Sequence, residues 1–155
     1  MAYISEEGLT KLKNELQERK TITRKEIAKR IEEAKALGDL SENAEYSSAK
    51  EAQSFNEGRV LELEDIIREA TIIVSKKKSD KVQMGSIIEA KLIVKEGENI
   101  KKIFVIVGSH EAAPTDGKIS NESPLGQAFL DRKVGDMVEI KTPRGEAKYK
   151  IISIK

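Results

Sequence analysis

The chain has 155 residues, of which 35% are charged and 4% aromatic, and its formal charge is +1. So few aromatics among so many charges suit long solvated helices better than one large packed globule. The charge divides unevenly, net −4 over residues 1–75 and +5 over 76–155, which argues against a whole-surface nucleic-acid binder, and the absence of cysteine excludes disulfides, thiolate metal sites and cysteine nucleophiles.

The first stretch, MAYISEEGL, lacks the basic-then-apolar pattern of a signal peptide. No apolar run approaches the roughly 18 residues of a membrane span. A soluble, cytoplasmic protein with no membrane segment is expected. Ser5, followed by Glu7 and Gly8, reads as a helix start without a full capping box. From there to about Leu37 the apolar residues Leu9, Leu12, Leu16, Ile27, Ile31 and Ala34 fall at spacings of three and four, apart from a polar gap that only Ile22 interrupts. A second set runs from about Asn43 to Val74: Ala49, Ala52, Asn56, Val60, Leu63, Ile67, Ala70 and Val74. Gly58 weakens this helix without removing its pattern.

Each segment is on the order of 30 residues, or ~45–50 Å of helix. Neither can bury its stripe alone, and a short connection forces them antiparallel. The spacing therefore predicts a two-stranded coiled-coil hairpin over residues 1–75, with its connection near 38–42 and an acidic tip near 38–45. Gly38 is placed to end the first helix in a left-handed conformation, and Ser41 or Asp39 to cap the second. Near the free ends the seam holds leucine and isoleucine. Near the turn it thins to Ala34, Ala49 and Ala52, which makes a slender tip.

At residues 76–84, a lysine-rich stretch, the helical pattern stops, and a linker is expected. Residues 85–155 then change period. SIIEAKLIVK (86–95) and KKIFVIVGS (101–109) read as a hairpin around Gly97-Glu98-Asn99. A short strand is expected near Ile119. Ser123 and Pro124 read as the cap and first position of a short helix. Gly135-Asp136 turns the chain into MVEIKT, PRGE turns it again, and AKYKIISIK closes with a strong alternation. The fold class is α+β: a helical hairpin followed by a small antiparallel sheet carrying one short helix.

The one histidine, His110, falls in a loop, where imidazole is ordinarily just solvated. No phosphate-binding glycine loop or zinc spacing is present. Carboxylates remain. Asp39 and Glu42 lie three apart across the predicted turn and can project from the tip together. Two such groups make half a site for Mg2+, which takes oxygen ligands and shares them with water and phosphate; a half-site becomes useful where another metal and a phosphodiester already stand. Acids at a helix start also complement the helix dipole. Spacing leaves both readings open.

The stretch GDLSENAEY (38–46), followed by AKEAQSFNEGRVLELE (49–64), closely resembles the bacterial Gre transcript-cleavage factors. GLTKLKNEL (8–16) and ISNESPLGQAFLDRKVGDMVEIKTPRGE (119–146) fit the same family in the same order, so the resemblance covers essentially the whole chain. It implies an FKBP-like C-terminal domain that docks at the rim of the RNA polymerase secondary channel. It implies a hairpin that passes down that channel when the polymerase has slid backwards. Tip acids in the family help to hold a second Mg2+ and to position a water, so that the polymerase hydrolyses its own extruded RNA 3′ end.

Those acids map onto Asp39 and Glu42, as catalytic groups and as metal ligands only when docked. Asn43 and Tyr46 read as tip support: Asn43 to hydrogen-bond RNA or a polymerase loop, and Tyr46 either to stack on a base or to pack the tip. Lys35 and Lys50 match the family's RNA-contacting basic positions, as Lys where Arg is frequent; Lys keeps the phosphate contact and loses the bidentate fork. NESPLG (121–126) matches the segment that faces the polymerase, with Glu122, Ser123 and Pro124 as candidates. Glu45 reads as a dipole-complementing residue. The resemblance implies a monomer acting on the polymerase, with no enzyme activity alone and no cofactor beyond the shared Mg2+.

Three other functions are set beside this. A Gre-like inhibitor would use the same channel with a different acidic tip. A prolyl isomerase would need an aromatic-lined pocket, and this half offers only Phe104, Phe129 and Tyr149. A plain coiled-coil adaptor would need no tip chemistry.

Overall fold

The computed structural model describes residues 2–39, 42–74 and 79–155. The chain divides into two compact units, Glu7–Ala70 and Met1–Glu6 with Thr71–Lys155. Among the described residues no helix is long and apolar enough to cross a membrane.

The first unit is the helical hairpin. Helix α1 (Glu6–Glu18) passes through a π-helical turn, Arg19–Thr23, into α2 (Arg24–Ala36), and α3 (Ala44–Glu69) returns. The cross-helix bonds run Glu15 to Arg59, Arg24 to Glu57, Arg30 to Ser48 and Ala34 to Asn43. One partner climbs as the other descends, which fixes the antiparallel sense. Ile27, Ala34, Ala49, Val60, Leu63 and Ile66 are buried along the seam. The expected thinning toward the turn is present: Ala34 and Ala49 are buried there, and small side chains let the backbones approach.

The π turn occupies the polar gap that sequence periodicity could not explain. Its extra residue frees backbone groups from the regular ladder. The Arg24 amide donates back to the carbonyls of Arg19 and Thr21. Asn56 meets the turn from α3: its Nδ2 donates to the Arg19 carbonyl at 3.2 Å, and its Oδ1 accepts from the Arg19 guanidinium at 3.2 Å. Asn56 is the buried polar residue of the described chain, 2% exposed, and both ends of its amide are satisfied. Beside it Glu15 accepts from Arg19 at 2.9 Å and from Arg59 at 3.0 Å. The Arg59 hydrogen bond holds the Glu15 carboxyl below the usual glutamate range against the opposing effect of partial burial.

The second helix was expected to reach Val74. It ends at Glu69, and Ala70–Ile72 forms strand β2, paired with β1 (Ala2–Ile4). The reason is local: Thr71, Ile72, Ile73 and Val74 are four β-branched residues in succession, stiff at χ1 and suited to extended backbone. The Ile73 amide donates to the Ile4 carbonyl at 2.9 Å. The seam also differs at its base, where Ile66 is buried, Ile67 half-buried and Val74 exposed.

The sheet unit contains β3 (Ile87–Ile93), β4 (Ile100–Val107), β5 (Lys118–Ser120), α4 (Pro124–Phe129), β6 (Met137–Thr142) and β7 (Gly145–Ile154). The strand order is β5-β4-β3-β7-β6. The predicted hairpin pairs Ile87 with Val105 and Leu92 with Ile100. The β4–β3, β3–β7 and β7–β6 pairs are antiparallel, and the three-residue β5 joins β4 in parallel. Alternation puts Ile88, Ala90, Phe104, Ile106, Tyr149 and Ile151 on one face, where Phe129 of α4 covers them.

Part of the expected linker belongs to this core. The lysine run 76–78 lies outside the described residues, but Val82 is 1% exposed and packs with the sheet cluster. Its amide donates to the Arg132 carbonyl at 2.8 Å, and its carbonyl accepts from Asp131 at 3.0 Å. A single valine between Lys81 and Gln83 gives periodicity nothing to detect. The N-terminal residues also join this unit. Ser5 donates through its amide and its hydroxyl to the Glu111 carboxylate at 2.7 and 2.5 Å.

Candidate functional site

The turn between α2 and α3 is built from two left-handed residues and one asparagine. Gly38 has φ +77° and Asp39 has φ +46°. Glycine enters that region without cost, and aspartate is among the few residues that tolerate it. The Gly38 amide closes α2 on the Lys35 carbonyl at 3.1 Å, the helix ending expected of that glycine. The Glu42 amide donates to the Asp39 carbonyl at 3.3 Å, so the two acids stand at the two ends of one tight turn. Both are exposed.

The cap of α3 is Asn43, where Asp39 or Ser41 was expected. Asn43 has extended backbone, φ −85° and ψ 101°, and its Oδ1 accepts from the Tyr46 amide at 3.1 Å. Asp39 is committed to the left-handed bend, and Ser41 lies outside the described residues. The other end of the Asn43 amide crosses to the opposite helix. Its Nδ2 donates to the Ala34 carbonyl at 2.8 Å and to the Gly38 carbonyl at 3.3 Å. One side chain thus satisfies an orphan amide at the start of α3, gives the Ala34 carbonyl a second donor beside the Leu37 amide, and reaches the Gly38 carbonyl.

Tyr46, one turn into α3, is half-buried, and Glu45 is exposed in the first turn, where its charge complements the helix dipole. Lys35 lies exposed in the last turn of α2. Lys50 is exposed on α3, with its Nζ 2.9 Å from Gln53 Oε1. The tip therefore gathers Asp39, Glu42, Asn43 and Tyr46, with Lys35 in the last turn of α2 and Lys50 further along α3. The Asn43 clasp is the feature sequence reasoning missed. An asparagine three residues before a tyrosine is an ordinary cap pattern, and nothing in it announces a bond to the facing helix.

Two hard carboxylate oxygens on a tight exposed turn are a donor set that fits Mg2+, which fills its remaining positions with water and phosphate.

In the sheet unit, Ser123 caps α4 as expected. Its hydroxyl accepts from the Gly126 amide at 3.0 Å and donates to the Ser120 carbonyl at 2.7 Å. That hydroxyl is committed internally. Glu122 and Pro124, by contrast, are exposed, and the Glu122 amide is held by Ser120 Oγ at 3.1 Å. Gly126 is required by contact: a Cβ there would sit 1.9 Å from the Ser120 carbonyl oxygen. Phe104, Phe129 and Tyr149 pack on one another at centroid distances of 5.5 to 5.9 Å, and burial pushes the Tyr149 hydroxyl pKa up. The aromatics that a prolyl-isomerase pocket would need are core residues. His110 is exposed in a short 3-10 turn, Ser109–Glu111.

Comparison with known proteins covers nearly the whole chain. Residues 2–72 match the family described as transcription elongation factor, N-terminal, and residues 76–155 the family described as transcription elongation factor, GreA/GreB, C-terminal. The chain is 44% identical to transcription elongation factor GreA of Bacillus anthracis over 153 residues, 98% of this chain and 95% of that protein. It is 47% identical to GreA of Clostridium acetobutylicum over 154 residues, with the same coverage. Among solved structures it is similar to GreA factor homolog 1 of Thermus thermophilus, at 25% identity and a TM-score of 0.43, covering 99% of this chain and 97% of that one.

Proposed function

Because the chain belongs to the GreA/GreB family of transcription elongation factors, we propose that it rescues backtracked RNA polymerase by stimulating cleavage of the extruded RNA. The observation that carries this reading is the tip: Asp39 and Glu42, both exposed, on one turn at the end of a helical hairpin whose returning helix is 26 residues long. At 1.5 Å per residue that helix measures ~39 Å. A lever of this length can carry two carboxylates down a narrow channel to an active site that the chain does not itself contain.

The hairpin enters the polymerase secondary channel, and the sheet unit docks outside through Glu122 and Pro124. Asp39 and Glu42 are the residues that would hold a second Mg2+ at the polymerase centre. A metal there supplies Lewis-acid activation of water and of the phosphodiester oxygen. The chain's own carboxylates accept hydrogen bonds from the attacking water and so orient it toward the phosphorus. Lys35 and Lys50 lie behind the tip as point charges for the RNA backbone. The protein is not a nuclease alone, acts as a monomer, and takes no cofactor of its own.

The test is a stalled, backtracked elongation complex with 3′-labelled RNA and Mg2+. Addition of the protein is expected to release short 3′ fragments and restore elongation. Slower synthesis with no released fragment would instead identify an inhibitor of the same channel, and no effect on the complex would leave only a structural adaptor.

A further inference from the structure

We propose that Asn43 is a positioning residue for the acidic tip, and that its contacts stay inside the protein. The proposal rests on the reading above and deepens it. The asparagine side chain has two donor hydrogens and an acceptor oxygen with two lone pairs. Its Oδ1 accepts from the Tyr46 amide at 3.1 Å, and its Nδ2 donates to the carbonyls of Ala34 at 2.8 Å and Gly38 at 3.3 Å. Both donor hydrogens and one of the two Oδ1 lone pairs are engaged inside the protein, so the amide has no donor to spare for a phosphate.

What those bonds fix matters more than their number. Gly38 and Asp39 are both left-handed, at φ +77° and +46°. For aspartate that conformation is tolerated rather than preferred, so bonds to the neighbouring backbone help to hold the bend. The Nδ2 bond pins the carbonyl that precedes Asp39. The Oδ1 bond pins the first turn of α3, and Glu42 is the residue just before the cap. Asn43 thereby ties the backbone of one acid to the backbone of the other. Serine at this position would keep the cap acceptor but has no second arm to reach the facing helix.

Asn43→Ser separates capping from clasping. It is assayed as the full chain on the backtracked polymerase complex, with Mg2+ titrated and with Asp39→Asn alongside. Helix content by far-ultraviolet circular dichroism, and competition with wild type for polymerase, are both expected to be unchanged. The Mg2+ concentration for half-maximal cleavage is expected to rise about 10-fold, the scale on which partners that orient metal ligands act, with excess Mg2+ restoring much of the rate. A Ser variant that matches wild type at every Mg2+ concentration would reduce Asn43 to a cap. A variant that loses affinity for polymerase at an unchanged Mg2+ requirement would make it a contact residue. Either result overturns the proposal. If Asp39→Asn cleaves as well as wild type, the tip reading itself has failed, whatever Asn43→Ser does.

Discussion

Replacing Asn56 with alanine should destabilise the hairpin unit by about 2 kcal/mol. Two bonds are lost, each 3.2 Å long. The bond to the Arg19 carbonyl is neutral, and such bonds contribute roughly 1 kcal/mol net. The bond from the Arg19 guanidinium is charge-assisted, for which roughly 1.5–3 kcal/mol is typical. Here the Arg19 side chain is 26% exposed and already paired with Glu15, which brings its share down to about 1 kcal/mol. The Arg19 carbonyl keeps the Arg24 amide, so no fully orphaned group is left to add to the cost. For a unit of this size each kcal/mol moves the midpoint by about 4–8 °C. Thermal unfolding followed at 222 nm, where the helices dominate, should therefore show a fall of about 8–16 °C. Gln53→Ala, on the same helix, gives up a hydrogen bond from the exposed Lys50 and should shift it by less than about 3 °C. An Asn56→Ala midpoint within 3 °C of wild type would refute the view that this amide holds the π turn.

Val82→Ala should cost about 2 kcal/mol, since it removes two buried carbons worth about 0.8 kcal/mol each and leaves a small void; a true linker residue would show no change in chemical denaturation. Gly126→Ala should cost about 3 kcal/mol, because its new methyl overlaps the Ser120 carbonyl and pushes α4 off the end of β5; polymerase affinity should fall with it, read by competition. Glu15 titrates lower in the folded hairpin than in the unfolded chain, because Arg59 hydrogen-bonds its carboxylate. Its contribution is therefore complete above the ordinary value of 4.5 and is lost as pH falls through the lower folded value. Hairpin stability should decline on acidification below about pH 4.5, and Glu15→Gln should flatten that decline.

The hairpin was legible because its seam is written in threes and fours over two long segments, and Gly38 marks the turn. The sheet was legible because Ile and Val alternate in β3, β4 and β7, and Ser123-Pro124 spells a helix start. What escaped had no periodic signal. The π turn is one extra residue inside a polar stretch, visible only once Asn56 is seen beneath it. The strand at Ala70–Ile72 was hidden by apolar spacing that also fits a helix, although the β-branched run carried the opposite signal. Val82 is a single apolar residue among polar ones. At the tip, Asp39 and Glu42 stood out as a pair of charges. The side chain that binds the two helices together beneath them is uncharged, and only the fold reveals its second set of partners.

The most direct test compares wild type with Asp39→Asn and Glu42→Gln on one backtracked polymerase complex, measuring polymerase affinity and fragment release together. Each substitution removes a charge and keeps the side-chain size, at an exposed position. Both variants are expected to bind as wild type does and to release little or no RNA fragment. Fragment release at the wild-type rate by either variant, bound at saturation, would contradict the claim that the tip carboxylates act in the cleavage.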